Sequence, residues 1–259
     1  MPPLPSLFIS HGAPDILIED APASRFLRDF AGRMPRPRAI VVATAHWTTA
    51  EAAVEVGAQP PTIHDFGGFA PELHARHYPA PGDPVLAERI AGLLRGSGMT
   101  TAAVTRGFDH GVWIPLALMF PQADIPVVAL SVQPRRDGMH HLQLGAALAD
   151  LRHDGVLIIG SGAVTHNLGA IIPGATTAPE WVSAFDDWAV GRALAGDAAA
   201  LADWQGQGPH GRRNHPTPEH WLPLLVAMGA GAGAPAQVLH RSTTWGVLRM
   251  TALAFGPVA

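Results

Sequence analysis

The chain has 259 residues, of which 47% are hydrophobic, and a formal net charge of −4 at pH 7. A chain of this size can bury a large core, and no apolar run reaches the roughly 20 residues that span a bilayer. It contains no Cys, and all 17 of its basic residues are Arg. The composition therefore excludes disulfides, thiolate metal sites, Schiff-base chemistry and a P-loop lysine, and it leaves His, with 14 residues, as the abundant reactive group.

The charge pattern and the N-terminus bear on partners and location. Basic residues cluster only as the short pairs 135–136 and 212–213, so the sequence predicts no nucleic-acid partner and no anionic membrane partner. Residues 1–5 (MPPLP) lack a basic region followed by an apolar stretch, which predicts that no signal peptide is present. We therefore expect a soluble, cytoplasmic protein.

Strand and helix patterns alternate along the chain. Strands are predicted at 6–10, 38–45, 52–56, 101–105, 125–132, 155–160, 236–241 and 246–254. Helices are predicted at 20–33, 83–96, 114–120, 138–152, 179–194, 197–204 and 217–228. The alternation predicts an α/β fold in which a central, mainly parallel or mixed sheet is flanked by helices, as a single domain over residues 1–259.

The first two predicted strands each lead into a histidine. His11 follows the strand at 6–10, and His46 follows the strand at 38–45. Ligands bind at the carboxyl edge of open α/β sheets, so the two imidazoles are expected to share a site there. The alternative for each residue is a histidine that hydrogen-bonds a loop backbone.

Two glycine-containing loops add candidate side chains. The loop at 57–71 carries His64, Asp65 and Phe66 and is predicted to form a wall or lid of a pocket, with a purely structural loop as the alternative. In the loop at 106–113, Asp109 is adjacent to His110 and could orient its ring for general-base chemistry. The alternative there is a helix-capping Asp beside a surface His.

The strand predicted at 155–160 is expected to break into a Gly-Ser-Gly turn at 160–162. The spacing lacks the Gly-x-Ser-x-Gly pattern of a nucleophile elbow, so a serine nucleophile is not favoured. His166 follows a few residues later and supplies a third imidazole at the same edge of the sheet.

The segment 214–223 carries the last cluster. Thr217 as N-cap and Pro218 at the first helical position predict a helix start. Glu219 and His220 would then lie in its first turn, about 100° apart around the axis. A carboxylate there complements the helix dipole, whereas a cationic imidazole is disfavoured and a neutral, metal-bound one fits.

Six segments, taken in order and together, resemble the 4,5-DOPA extradiol dioxygenase group of the class III extradiol ring-cleavage dioxygenases. They are 10–14 (SHGAP), 45–47 (AHW), 61–69 (PTIHDFGGF), 107–111 (GFDHG), 160–168 (GSGAVTHNL) and 216–220 (PTPEH). The resemblance covers nearly the whole chain. It implies a mononuclear non-haem metal site on an α/β fold, with iron(II) for turnover and zinc as an alternative metal.

The resemblance also implies roles for individual residues. They are metal ligands His11, His46 and His220, His166 at or beside the metal and in catalysis, and His110 as the acid–base group. Two positions depart from the family's frequent pattern, because Ala13 and Ala163 stand where Ser and Asn are common. Other branches of the superfamily use a 2-His-1-carboxylate triad, which would nominate Glu219 in place of His220.

The implied reaction inserts O2 into a catechol-type, DOPA-like substrate beside the diol, giving a muconic semialdehyde. Both partners are small molecules, and the resemblance makes no prediction of oligomeric state. His64, Phe66 and Trp47 are the expected substrate-binding residues. Two alternatives stay open, a zinc-dependent hydrolase that uses a metal-bound water and a non-catalytic metal-binding protein.

Overall fold

The computed structural model describes residues 3–258. Met1 and Pro2, on which the expectation of no signal peptide partly rests, lie outside the described residues. Within the described range, no helix is both long enough and apolar enough to cross a bilayer.

The strands form one large sheet and one small one. Their bounds are β1 Ser6–Ser10, β2 Ala39–Thr48, β3 Ala52–Glu55, β4 Thr101–Val104, β5 Val127–Val132, β6 Val156–Gly162, β7 Ala236–His240, β8 Thr243–Thr244, β9 Leu248–Arg249 and β10 Ala252–Phe255. Across residues 3–258 the large sheet has eight strands in the order β4-β3-β5-β2-β6-β1-β10-β7, and β8 pairs with β9 separately. The strands β5, β2, β6 and β1 run parallel to one another, while β10 pairs antiparallel with both β1 and β7. The prediction of a mixed, mainly parallel sheet is confirmed.

The helices connect and cover these strands. Their bounds are α1 Pro22–Phe30, α2 Pro71–His74, α3 Pro84–Gly96, α4 His110–Met119, α5 Gly138–Ala147, α6 Glu180–Leu194, α7 Ala198–Ala202, α8 Trp204–Gln207, α9 Gly211–Asn214 and α10 Leu222–Ala230. Short 3-10 turns lie at Pro14–Leu17, Ala31–Arg33, Ala149–Asp154 and Leu168–Ala170.

The core lies on both faces of the sheet. Successive side chains of a strand point to opposite faces, and in β2 both sets are buried. Ile40 and Val42 pack in one core cluster with Trp113 of α4, whereas Val41 packs in another with Ile90 of α3. Because both faces of the sheet are covered by apolar side chains, the sequences of the central strands are continuously hydrophobic rather than alternating between hydrophobic and polar residues.

The strand predicted at 246–254 is divided into β9 and β10, and the helix predicted at 138–152 ends at Ala147. Three further boundaries that differ from the sequence prediction lie near the histidines. Helix α4 begins at His110 rather than at 114, β6 continues to Gly162 rather than ending at 160, and α10 begins at Leu222 rather than at 217. The Gly-Ser-Gly segment is therefore strand, because its pairing with β1 outweighs the weak strand preference of glycine. The predicted N-cap at Thr217 is wrong, since its hydroxyl donates to the carboxylate of Glu219 instead of capping a helix.

Candidate active site

Three imidazoles meet at the carboxyl edge of the parallel strands. His11 directly follows β1, His46 lies near the end of β2, and His220 lies in the turn before α10. The Nε2 atoms of His11 and His46 are 3.0 Å apart, and those of His46 and His220 are 3.3 Å apart. The convergence of His11 and His46 that the sequence indicates is therefore present, with His220 completing the cluster.

The tautomer of His11 follows from a chain of hydrogen bonds. Pro115 has no N–H, so the Gly111 carbonyl four residues earlier has no helical donor there, and it accepts the hydroxyl proton of Ser161. With its own proton committed, Ser161 Oγ must accept from His11 Nδ1, which lies 3.0 Å away. The proton of His11 is therefore on Nδ1, and Nε2 carries a lone pair.

Carboxylates fix the other two rings in the same sense. Glu219 Oε1 lies 3.1 Å from His220 Nδ1, and Asp65 Oδ2 lies 3.4 Å from His46 Nδ1. An ionised carboxylate only accepts hydrogen bonds, so His220 carries its proton on Nδ1. The Asp65 charge close to His46 Nδ1 favours the same tautomer there. All three Nε2 atoms thus present lone pairs to one another.

This donor set fits a divalent metal ion. Metal–nitrogen bonds of about 2.0–2.1 Å place ligand nitrogens roughly 2.8–3.4 Å apart, for bond angles between about 90° and 109°. The two measured Nε2 separations, 3.0 Å and 3.3 Å, fall in this range. Histidine ligands of metals commonly donate their other ring N–H to a carboxylate or another acceptor. His11 and His220 show this arrangement, and His46 has the Asp65 carboxylate 3.4 Å from its Nδ1.

Burial keeps the three imidazoles neutral. It lowers the pKa of His11 and of His220 well below the ordinary value, and the neighbouring imidazoles lower both further. Burial also lowers the pKa of His46, to about 3, although the nearby Asp65 carboxylate opposes the shift. Neutral rings are the form that binds a metal, so the site needs no deprotonation near pH 7.

His110 lies against this cluster but is oriented by a different acid from the one predicted. Its ring centroid is 3.8 Å from that of His46, and its Nδ1 is 3.0 Å from Asp65 Oδ1. The prediction that Asp109 orients His110 is wrong, because the Asp109 carboxylate binds Thr44 and Arg106. Adjacent residues at a helix start diverge, whereas the loop at 57–71 brings Asp65 over the ring.

His166 stacks on His220. The two ring planes are within 8° of parallel and the centroids are 3.4 Å apart. Burial lowers the pKa of His166 to about 4, while the Glu219 carboxylate opposes the shift. The His166 backbone N–H donates to the Asn214 carbonyl over 2.9 Å, and buried His215 Nε2 donates to the Val164 carbonyl over 2.7 Å, so the two segments are held together.

The expected substrate-binding residues occupy different surroundings. Phe66 is half-buried, and its ring stands edge-on to His110 with centroids 5.7 Å apart. His64 also lies on this loop, 5.7 Å from Phe66, and its Nε2 donates to the Arg76 carbonyl. Trp47 is buried in the core cluster that also contains Ile40 and Trp113.

Two glycines of β6 allow the His220 turn to approach the sheet. A Cβ on Gly162 would lie 2.2 Å from the His220 carbonyl oxygen, and one on Gly160 would lie 2.0 Å from that of Pro223. Any other residue would push the turn outward. The Gly-x-Gly pattern at 160–162 therefore positions the imidazole of His220 and does not form a phosphate-binding loop.

Residues that sequence reasoning missed mostly act through other side chains. The sequence indicates Ser161 only as part of a predicted turn, and Asp65 only as an acid in a loop. Glu219 is adjacent to His220, but its position in a predicted first helical turn indicates an interaction with the helix dipole rather than with the imidazole. No pattern in one sequence shows which imidazole nitrogen a distant acceptor will face.

The chain is similar to known proteins over almost its whole length. Residues 7–256 match the family described as the catalytic LigB subunit of aromatic ring-opening dioxygenase. The 4,5-DOPA dioxygenase extradiol of Beta vulgaris is 43% identical over 249 residues, covering 94% of this chain and 93% of that protein. The protein of the same name from Escherichia coli (strain K12) is 39% identical over 266 residues, covering 98% and 95%.

A solved structure agrees with these relatives. The crystal structure of an uncharacterised protein from Escherichia coli K12 matches with a TM-score of 0.83 and 33% identity, covering 98% of this chain and 100% of that one. The α/β fold and the resemblance drawn from the six segments are both confirmed. The chain belongs to the LigB family of aromatic ring-opening dioxygenases and groups there with extradiol enzymes.

Proposed function

We propose that this protein cleaves the ring of a DOPA-like catechol beside its diol, using O2 and one iron(II) ion held by His11, His46 and His220. The observation that carries the proposal is the convergence of the Nε2 atoms of three histidines, each of which has an oxygen close to its Nδ1. Lone pairs 3.0–3.3 Å apart repel one another unless a cation lies between them. Three protein ligands would leave the bound metal able to take a catechol and O2 as well.

The chemistry of the reaction favours iron over zinc. Iron(II), when bound, would supply the redox change that ring cleavage by O2 requires, whereas Zn²⁺ has none. Imidazole suits both metals, so zinc could fill the same site without supporting turnover.

His220 is better supported as a ligand than Glu219. The Glu219 carboxylate contacts His220 Nδ1, the nitrogen on the far side of the ring from the cluster. It therefore orients the imidazole from behind, as acidic partners of metal-binding histidines do.

His166 is better supported as a proton-transfer group beside the metal than as a fourth ligand. A ligand's lone pair lies in the plane of its ring, and the rings of His166 and His220 are parallel at 3.4 Å. The lone pairs of the two rings therefore lie in separate, nearly parallel planes, which disfavours both rings as ligands of one ion. The stacked position still brings His166 to the edge of the cluster.

His110 is proposed as the group that accepts a catechol proton. The Asp65 carboxylate lies 3.0 Å from Nδ1 and its charge favours a proton there, so the lone pair on Nε2 is available to a substrate hydroxyl. Phe66 stands edge-on to His110 and gives the substrate ring an apolar wall, with His64 beside it. Trp47, which is buried in the core, is less well supported as a substrate contact.

The decisive experiment uses protein reconstituted with iron(II) under anaerobic conditions. Oxygen uptake is recorded with a panel of catechols that includes DOPA and protocatechuate, together with the absorbance of the yellow product. We expect His110→Gln to lower turnover by about 100-fold or more while it still binds metal. The matched control is His153→Gln, a substitution of an exposed histidine.

Two outcomes would count against the proposal. Absence of oxygen uptake by the iron-bound protein with every catechol of the panel would reject ring cleavage. Hydrolysis of esters or amides by zinc-bound protein without oxygen would instead favour the hydrolase alternative.

The extent and the location of the enzyme are part of the same proposal. Residues 1–259 are proposed to form one catalytic domain, because β1 near the N-terminus pairs with β10 near the C-terminus and both flank the site. The cytoplasmic location stays a prediction, and fractionation of cells that express the protein would test it.

A further inference from the structure

We propose that Asp65 is a positioning residue that serves His46 and His110 together, fixing both rings with one carboxylate. This inference rests on the proposed function in taking His46 as a metal ligand and His110 as the proton acceptor. Asp65 would couple the two steps, because any movement of its carboxylate changes metal binding and proton acceptance at once.

The geometry places the carboxylate between the two rings. Oδ1 lies 3.0 Å from His110 Nδ1 and accepts the His110 backbone N–H over 2.9 Å, while Oδ2 lies 3.4 Å from His46 Nδ1. The Asp65 side chain is only 22% exposed.

The neighbouring acid cannot take over this task. Asp109 accepts from Thr44 Oγ1 over 2.7 Å and from Arg106 over 2.7 Å, so its two oxygens are committed elsewhere. Burial raises its pKa, while Thr44 and Arg106 oppose the shift.

The loop that carries Asp65 is attached to the segment that carries His110. The Ile63 N–H donates to the Phe108 carbonyl over 2.7 Å, and the Phe108 N–H donates to the Pro61 carbonyl over 2.8 Å. This pairing sets the distance from Asp65 to the start of α4. The carboxylate is therefore held in place by backbone bonds on the side of His110.

The chemistry of the carboxylate fixes both tautomers. His110 Nδ1 makes no well-aligned hydrogen bond to the carboxylate, but a negative charge 3.0 Å from His110 Nδ1 and 3.4 Å from His46 Nδ1 attracts a proton on those nitrogens and repels a lone pair. Both rings therefore favour the Nδ1–H tautomer, with the Nε2 lone pair toward the site. An Asn at this position keeps the shape but presents an NH2 group to one of the rings. That ring would have to accept at Nδ1, moving its proton to Nε2 and removing the lone pair from the site.

The test compares Asp65→Asn with the wild-type protein and with Glu72→Gln, a matched change at an exposed acid on the same segment. Zn²⁺ affinity is measured by competition with a chromophoric chelator. The tautomers of His46 and His110 are read in metal-free protein from their ¹⁵N chemical shifts. Unfolding in urea shows whether each variant is folded.

We expect Asp65→Asn to lower Zn²⁺ affinity by about 10- to 100-fold and to convert one of the two rings to its Nε2–H form. Glu72→Gln should change neither. Wild-type affinity in folded Asp65→Asn would overturn the proposal, as would lost affinity with both tautomers unchanged. Since neither readout involves a catechol, a wild-type enzyme without ring-cleaving activity would reject the proposed function and leave this test intact.

Discussion

Replacing Gly162 by Ala should separate metal binding from overall stability. The added Cβ would lie 2.2 Å from the carbonyl oxygen of His220, about 1 Å closer than an ordinary carbon–oxygen contact. Both atoms in conflict are part of or attached directly to the backbone, so the clash is relieved only if the His220 turn moves outward. The Ala163 N–H also donates to this carbonyl over 2.9 Å and would be strained by the same movement.

The expected loss follows from the distances at the site. The Nε2 atoms of His46 and His220 are 3.3 Å apart, near the upper end of the range of roughly 2.8–3.4 Å for two nitrogens on one metal. A retreat of about 1 Å takes His220 outside this range. We therefore expect metal affinity to fall by about 100-fold or more, equivalent to ~2.8 kcal/mol, and overpacking to destabilise the fold by about 1–3 kcal/mol.

The assay measures Zn²⁺ affinity by chelator competition and the free energy of unfolding in urea for the same samples. Gly229→Ala is the control, because its Cβ would lie 2.0 Å from the Leu142 carbonyl oxygen at the far end of α10. It should cost similar stability and keep the metal affinity. If both variants lose equal stability and both bind metal like the wild type, the reasoning from Gly162 to His220 is refuted.

Three further outcomes are expected. Burial lowers the pKa of His141 from 6.5 to about 4, and the neutral ring accepts a hydrogen bond from the Gln133 N–H. The stability that this group contributes is therefore present above pH 6.5 and is lost as the pH falls toward 4. The loss should reach about 3 kcal/mol in urea unfolding at a series of pH values, and an unchanged slope in His141→Gln would contradict it. Gly92→Ala, in an exposed and open position of α3, should raise the free energy of unfolding by about 0.5–1 kcal/mol, and a lowered melting temperature would contradict this. Asp186→Ala should destabilise by about 3 kcal/mol, because the buried carboxylate binds Arg249, and a change below about 1 kcal/mol in urea unfolding would refute that.

The general position of the site could be predicted because it depends on a rule of topology. Parallel strands present their carboxyl ends at one edge, so a histidine after each of two such strands is brought to the same place. His11 and His46 satisfy this rule, and their Nε2 atoms lie 3.0 Å apart. The place of His220 in the site is predicted only through the family resemblance, because His220 lies in a turn rather than at the end of a strand.

The supporting acids could not be placed in this way. Asp109 is adjacent to His110 in sequence, yet its carboxylate binds Arg106, and the loop residue Asp65 contacts the ring. Adjacency in a helix start does not bring two side chains together, while a loop of unknown path can do so across 45 residues. The partners of an imidazole are thus a property of the folded chain.

Around the site, several residues depart from the local structure that their type favours, and they do so for a common reason. Pro115 inside α4 removes a helical donor, and the freed Gly111 carbonyl binds Ser161, which fixes His11. Gly162 weakens a strand, and the space it leaves admits the His220 turn. Each residue breaks a rule of local structure and supplies a contact that orients an imidazole. Conflicts between local preference and fold are expected where function sets the geometry, so these positions mark the site as clearly as the histidines do.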